Sequence, residues 1–376
     1  MAINPTSESI GSPAAKAPKG GIAGGKFKMV PNENNKAASH VKKITSGRIW
    51  PDWHPALAAF RRSDRRKASW QLINTLTPYA CLWFLMVRSI QLDYPYALTL
   101  ILTLPAAAFL VRLFILFHDC VHGSFFMSSR ANTFFGYLLG VLVFTSFEDW
   151  RFAHLRHHVT YANLDARGFG DIWTMTLTEY RDSPQMKRLQ YRLYRNPAVL
   201  IGLGVLFTFL LSNRLPTGKV KRKERMSVIF TNLLLIAVIL IADRFIGWRT
   251  YFMIQLPVLF FAGGAGIWLF YVQHQFPGGY WARKSSWEPL RAAMEGSSFY
   301  KLPTLLRWFS GNIGFHHVHH LSPRIPNYYL KQCYDAVPAL QAKAPLTILR
   351  SLAGIHLKVW DEKGQKMTGF PRISLG

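Results

Sequence analysis

Long apolar runs alternate along the chain with short polar segments that carry most of its histidines. Three windows hold the apolar signal: Gln71 to Ile90 (QLINTLTPYACLWFLMVRSI), Tyr94 to Phe117 (YPYALTLILTLPAAAFLVRLFILF), and Ser227 to Val272, interrupted only by ADRFIGWRT. Each approaches or exceeds the roughly 20 residues a helix needs to cross a bilayer, and the last holds two such lengths. The pattern predicts four membrane-spanning helices in two hairpins, at about 71–90, 94–117, 227–246 and 250–272. Two shorter apolar stretches, 134–147 and 197–212, predict interfacial or re-entrant helices, since both are short for a span.

Charge placement supports that topology. With the N-terminal tail in the cytoplasm, the first hairpin turns at Gln91 to Asp93 and brings His118 back to the cytoplasmic face. A full crossing by 197–212 would put the Lys- and Arg-rich NRLPTGKVKRKER outside, against the positive-inside rule. If both short stretches only dip in, the second hairpin turns at Arg244 to Thr250 and every histidine cluster shares one face. The expected fold is an all-α, multi-pass integral membrane protein: four transmembrane helices, interfacial helices, and a cytoplasmic helical cap holding a histidine-ligated di-metal site. Residues 1–45, rich in Gly, Pro, Ala, Ser and Lys, predict a disordered basic tail; 46–345 form the membrane domain and 346–376 a C-terminal cytoplasmic tail.

Composition narrows the class. The chain is 50% hydrophobic and 17% charged, which excludes a disordered protein. Its formal charge of +26 points, in a chain with spans, to contact with anionic membrane lipid and not to nucleic acid. Three scattered cysteines, Cys81, Cys120 and Cys333, give neither a disulfide framework nor a zinc-site spacing, and predict a reducing compartment.

Ten of the thirteen histidines fall in four short places: His118 and His122; His154, His157 and His158; His274; and His316, His317, His319 and His320. The spacings are i, i+4 in the first and i, i+3, i+4 in the second and last, so on a helix each cluster aims ring nitrogens from one face toward one point. Eight or nine imidazoles exceed the four ligands of one tetrahedral zinc and are too rich in nitrogen for magnesium or calcium. Two borderline transition metals fit, and two iron ions fit best. Asp119, Glu148, Asp149, Asp165 and Asp171 lie near enough in sequence to accept the second ring N–H. His40, His54 and His356 stand apart and predict no role.

In these segments, HDCVHGSFF, WRFAHLRHH and GNIGFHHVHHLSPRIPNYYL, the chain resembles the membrane-bound fatty acid desaturases, whose three histidine boxes match in order, type and spacing from about Trp70 to about Leu340. The resemblance implies a di-iron centre that uses dioxygen to remove two hydrogens from an acyl chain, leaving a cis double bond. The substrate would be a fatty acyl lipid or acyl thioester. Carried over, the metal ligands would be His118, His122, His154, His157, His158, His274, His316, His319 and His320, with His317 at a variable position as non-ligand or outer partner. The HxxxH form of the first box and His316 opening the third resemble the delta-12 and omega-3 acyl-lipid branch. Acyl-CoA desaturases carry an asparagine where this chain has Phe270; Asn312, four residues before His316, is the candidate substitute. The sole PGG, 277–279, follows Phe276, where a haem-binding segment would need histidine, so electrons must come from a separate ferredoxin or b-type cytochrome.

Sister chemistries share such a site: hydroxylase, ketolase, acetylenase and alkene-forming fatty acid decarboxylase. A membrane metal transporter, a different class, would place ionisable groups within the spans, whereas these clusters sit at span ends. A basic membrane-anchored scaffold leaves the boxes unexplained. An unactivated methylene C–H bond is beyond side-chain acid–base chemistry, so the protein's share is position and water exclusion. Phe109, Phe114, Phe117, Trp268, Phe270 and Tyr271 are the candidates to line an acyl channel.

Overall fold

Asp64 starts the first long helix: its Oδ1 accepts the N–H groups of Arg66 and Lys67 at 2.8 and 3.1 Å. The computed structural model describes residues 42–43, 49–168, 170–218 and 220–371, so the expected tail, 42–43 apart, and His40 lie outside the described residues. Helix α1 (Arg65–Gln91) turns through Asp93, φ 52°, into α2 (Tyr96–His122), which ends at Gly123, φ 64°, in the left-handed cap glycine favours. At 1.5 Å per residue, a 27-residue helix such as α1 or α2 measures about 40 Å.

The four expected spans are all single helices. Helices α2, α7 (Arg222–Ile246) and α8 (Trp248–His274) are long and apolar enough to cross a membrane. Helix α1 has the length, but Gln71, Asn74, Thr75, Thr77 and Arg88 dilute its apolarity below theirs. Between the hairpins, α5 (Gln185–Tyr194) and α6 (Ala198–Arg214) meet at a 66° bend, which makes them a broken span or a re-entrant pair. Helix α6 contains two wide π-helical turns, Ala198–Leu203 and Phe207–Leu211, and lies tight on α8, where a Cβ on Gly263 would meet Val205 Cγ1 at 2.5 Å.

The stretch 134–147 is not one helix. Helix α3 (Ser129–Leu142) stops, and α4 (Phe147–Thr160), which carries the second histidine cluster, starts after a four-residue turn. Phe144 takes φ 55°, and Thr145 N–H closes the turn on Gly140 O at 2.8 Å. Gly140 permits this: a Cβ there would sit 2.6 Å from Thr145 O and 3.2 Å from the Phe117 ring.

The remaining residues form a mixed cap. Its helices include α9 (Thr304–Phe309), α10 (His316–Leu321) and α11 (Asn327–Ala336). Its strands are β1 (Met175–Thr176), β2 (Phe299–Tyr300), β3 (Pro345–Leu346), β4 (Val359–Asp361) and β5 (Lys366–Thr368). Strand β4 pairs parallel to β1 and antiparallel to β5, and β2 pairs parallel to β3, so the expected all-α class holds for the helical frame but not for the cap. The segment expected as a C-terminal tail is folded onto this cap: Val359 and Trp360 are buried, and buried Arg195 donates to Leu357 O at 2.6 Å.

Candidate metal centre

Helices α2 and α8 end at His122 and His274, and packing of the two hairpins brings those ends together with α4 and α10. All nine histidines expected as ligands converge there, in two groups. His118, His122, His154, His158 and His319 each offer a nitrogen within 4.8 Å of the others, and so do His157, His274 and His320. His316 joins the second group, with its Nε2 3.0 Å from His274 Nε2 and its ring centroid 4.5 Å from that of His320. The groups touch where His158 and His320 stack at 4.2 Å.

The division corrects the expectation that each cluster aims at one point. His118/His122 and His154/His158, both i, i+4 pairs, enter the five-histidine group, while His157 crosses to the other. On α10 the pair His316/His320 enters the four-histidine group and His319 crosses back. Helix geometry explains it: at about 100° per residue, i+3 and i+4 straddle the i position from opposite sides, so the i, i+4 pair serves one point and i+3 the next.

Two carboxylates reach the rings. Asp119 Oδ1 lies 3.3 Å from His118 Nδ1, and Asp171 Oδ1 lies 2.5 Å from His157 Nδ1, one for each group. Glu148, Asp149 and Asp165, also expected as outer partners, are engaged elsewhere. Asp149 accepts from Thr217 N and Oγ1 at 2.9 and 2.6 Å, Glu148 pairs with Lys223 at 2.8 Å, and Asp165 pairs with Arg283 at 2.8 Å. Asn312 Nδ2 donates to Asn327 O at 3.0 Å, away from the rings. His317 turns to Leu340 O at 3.1 Å and Tyr334, and burial pushes it down to about 4. His54 stacks on Trp50 at 4.2 Å, and His356 is exposed.

Trp150 and Tyr161 were not foreseen. The Trp150 ring stacks on His154 at 4.2 Å and 13°, and Tyr161 lies 4.1 Å from the His274 ring while its hydroxyl donates to His274 O and Gly296 O at 3.1 and 2.8 Å. Trp150 was within reach of sequence reasoning, because it stands four residues before His154 on the same helix face. Of the expected channel aromatics, Phe270 borders His274 and His157 at 5.0 and 5.5 Å. Phe114 and Phe117 pack on Trp150, Phe109 on Phe309, and Trp268 on Tyr271. Apolar clefts of about 610 and 640 Å³ open between the membrane helices, beside Trp83 and Tyr251 and beside Tyr137 and Phe230; neither is lined by a histidine.

The donor set suits a pair of metals. Burial first, then the neighbouring imidazoles, holds His154, His158, His316, His319 and His320 well below the ordinary imidazole range, so the rings are neutral with lone pairs free. The contacts between Nε2 atoms, His122–His154, His154–His158, His158–His319, His157–His274 and His274–His316, measure 2.9, 3.1, 3.1, 3.1 and 3.0 Å. For a first-row metal about 2.1 Å from each nitrogen, ligands at right angles stand about 3.0 Å apart, so these spacings are those of a coordination shell.

Comparison with known proteins reaches the same place. The fatty acid desaturase family model matches residues 93–351, which hold every histidine of both groups. A fatty acid desaturase of Bacillus subtilis is 43% identical over 317 residues, 84% of this chain and 90% of that protein. An endoplasmic-reticulum omega-3 fatty acid desaturase of Vigna radiata is 29% identical, covering 61% of this chain and 62% of its own. An sn-1 oleoyl-lipid 12-desaturase of a Picosynechococcus species is 26% identical, covering 61% and 65%. Helices apolar enough to cross a membrane, two buried histidine groups at their ends and a family match that spans both make one assignment: the chain belongs to the fatty acid desaturase family, histidine-box di-metal oxidoreductases.

Proposed function

We propose that this enzyme places a cis double bond in a lipid-linked fatty acyl chain, in the manner of the delta-12 and omega-3 desaturases, at two irons held by the nine histidines. The observation that carries the reading is the convergence of five and four imidazoles into adjacent groups at the ends of α2 and α8. The regiochemical branch has two supports: the HxxxH and His316 features of the boxes, and the omega-3 and 12-desaturase names of the more distant relatives.

When bound, two irons with dioxygen and two electrons supply the oxidising power to break unactivated C–H bonds. The chain's own residues do the rest. Asp119 and Asp171 accept from Nδ1 of His118 and His157, which leaves Nε2 of each ring to face a metal. Trp150, Tyr161 and Phe270 wall the rings with apolar surface and keep water from the reacting carbon. Half-buried His158, beside exposed Val159 and Leu155 on α4, marks the side from which an acyl chain reaches the groups. Electrons come from a ferredoxin or b-type cytochrome, the donors that the resemblance implies. In the membrane, α1 is the fourth span, α5 and α6 dip in without crossing, and the Lys- and Arg-rich approach to α7 lies with the histidines on the cytoplasmic side.

The test is expression in a host lacking polyunsaturated lipids, with a ferredoxin donor and a His320→Ala control, and location of new double bonds by mass spectrometry. A new bond toward the methyl end in the wild type alone is the expected result. A bond nearer the carboxyl end overturns the branch, a hydroxylated product favours the sister chemistry, and an unchanged lipid profile despite two irons and a working donor overturns desaturation.

A further inference from the structure

Asn327 opens α11, and each of its polar groups has a partner. Its N–H and Nδ2 both donate to Asp119 Oδ2, at 2.6 and 2.9 Å. Its Oδ1 accepts Gln71 Nε2 at 2.8 Å, its Nδ2 also meets Gln71 Oε1 at 3.1 Å, and its carbonyl accepts Asn312 Nδ2 at 3.0 Å. Asn327 is 0% exposed and Asp119 1%, so no water competes for these bonds.

The geometry gives each member a task. Two donors on one Asp119 oxygen stop the carboxylate from turning and leave Oδ1 toward His118 Nδ1. The reciprocal amide pair with Gln71 decides which way the Asn327 amide lies; turned over, it would set Oδ1 against the Asp119 carboxylate. Asn312, in a left-handed turn at φ 59° just before α10, ties the approach to the third histidine cluster to the same residue. One asparagine thus joins α1, α2, the turn before α10, and α11.

We propose that Asn327 is a positioning residue for the five-histidine metal site: it aims Asp119 at His118 Nδ1 and so fixes the ring with Nε2 toward the metal, while Gln71 holds the Asn327 amide in the working orientation. This rests on reading the two histidine groups as metal sites. A mere tie between helices would explain the same bonds, so the test must separate metal retention from folding.

The full chain, purified in lipid nanodiscs and loaded with ferrous iron, is challenged with a ferrous chelator, and iron loss is followed together with the Mössbauer spectrum. Wild type is expected to hold two irons. Asn327→Leu is expected to release one of them about tenfold faster, the lower end for loss of an outer partner, with the other iron's signal unchanged. Gln71→Met should show a smaller acceleration at the same iron, because its Asn327 keeps both donors but is free to turn. Asp119→Asn should affect that iron too, and the double variant Asp119→Asn/Asn327→Leu should be no faster than Asp119→Asn alone, since both act through one bond.

If Asn327→Leu keeps wild-type rates, or if its effect multiplies with that of Asp119→Asn, Asn327 is a structural tie and the proposal falls. Should Asn327→Leu fail to fold, Gln71→Met decides: wild-type retention there overturns the proposal, and selective loss supports it. A wild-type chain that takes up no iron overturns the metal reading itself, and this one with it.

Discussion

Replacing Asp171 with asparagine removes a negative charge, and almost no volume, from beneath His157. Asp171 Oδ1 is 2.5 Å from His157 Nδ1, its Oδ2 accepts Gly168 N–H at 3.1 Å, and the two side chains are 1% and 3% exposed, so little solvent screens the pair. A hydrogen bond to a charged group contributes about 1.5–3 kcal/mol. Losing the outer partner of a metal-bound histidine weakens metal affinity about 10–100-fold, equivalent to about 1.4–2.7 kcal/mol, so the two magnitudes agree. Asparagine can still present its oxygen to Nδ1–H, which preserves the tautomer, but its NH2 then stands where Oδ2 accepts Gly168 N–H, so that bond is lost together with the charge. The expected loss for Asp171→Asn is therefore the smaller one, about tenfold, and for Asp171→Ala, which removes the acceptor too, about a hundredfold.

The assay is a chelator titration of the iron-loaded chain, with Asp119→Asn as the mirror case. Only the four-histidine group contains His157, so Asp171→Asn should give up one iron of two, and Asp119→Asn should give up the other. Equal loss from both groups, or wild-type retention, would refute the assignment of Asp171 to His157 and leave it a packing residue.

Acidification should destabilise the metal-free chain. The buried imidazoles of His154, His158, His316, His319 and His320 lie well below the unfolded value of 6.5, so in that window the unfolded chain binds more protons and stability falls as pH drops. Tm should fall between about pH 7.5 and about pH 5.5, and a flat profile would contradict the neutral reading. His317→Leu should keep both irons and lose about 1 kcal/mol in thermal unfolding, because Leu340 O loses its donor; iron loss would make His317 more than a bystander. Gly314→Ala should cost about 1–3 kcal/mol by overpacking. Its Cβ would lie 2.4 Å from Tyr300 O, on a strand pinned by Tyr300 N–H to Gly314 O at 2.7 Å and Lys301 N–H to Leu346 O at 2.9 Å. Unchanged thermal unfolding would show that α10 can shift freely.

Histidine spacing made the membership of the site legible, because i, i+4 pairing is a local property of a helix and each box lies on one. How the boxes divide between two groups depended on how α4 and α10 face each other, a tertiary fact. The carboxylates show the same boundary. Asp119 and Asp171 meet rings whereas Asp149 and Asp165 meet Thr217 and Arg283, and nothing in their local sequence separates them. The apolar windows gave the helices but not the break after Leu142, which rests on a non-glycine residue, Phe144, in a left-handed conformation. Strands of two or three residues leave no alternation to detect, so the folded C-terminal segment was invisible. Asn312 drew notice for its distance from His316, yet the residue in contact with Asp119 was Asn327.

The division of ligands gives the two hairpins different attachments to the cap. Helix α2 of the first hairpin contributes His118 and His122 to the five-histidine group alone, and α8 of the second contributes His274 to the four-histidine group alone. Helices α4 and α10 contribute to both, through His154 and His158 against His157, and through His319 against His316 and His320. A metal held in each group would therefore tie the same two helices to a different hairpin, and the contact between His158 and His320 lies where the two groups meet. The crossing of the i+3 histidine from one group to the other is what produces this: had each box served a single metal, the groups would be separate and the hairpins linked by packing alone. A centre that holds two metals side by side has reason to fix their separation through shared, short helices, and α4 and α10 supply that frame.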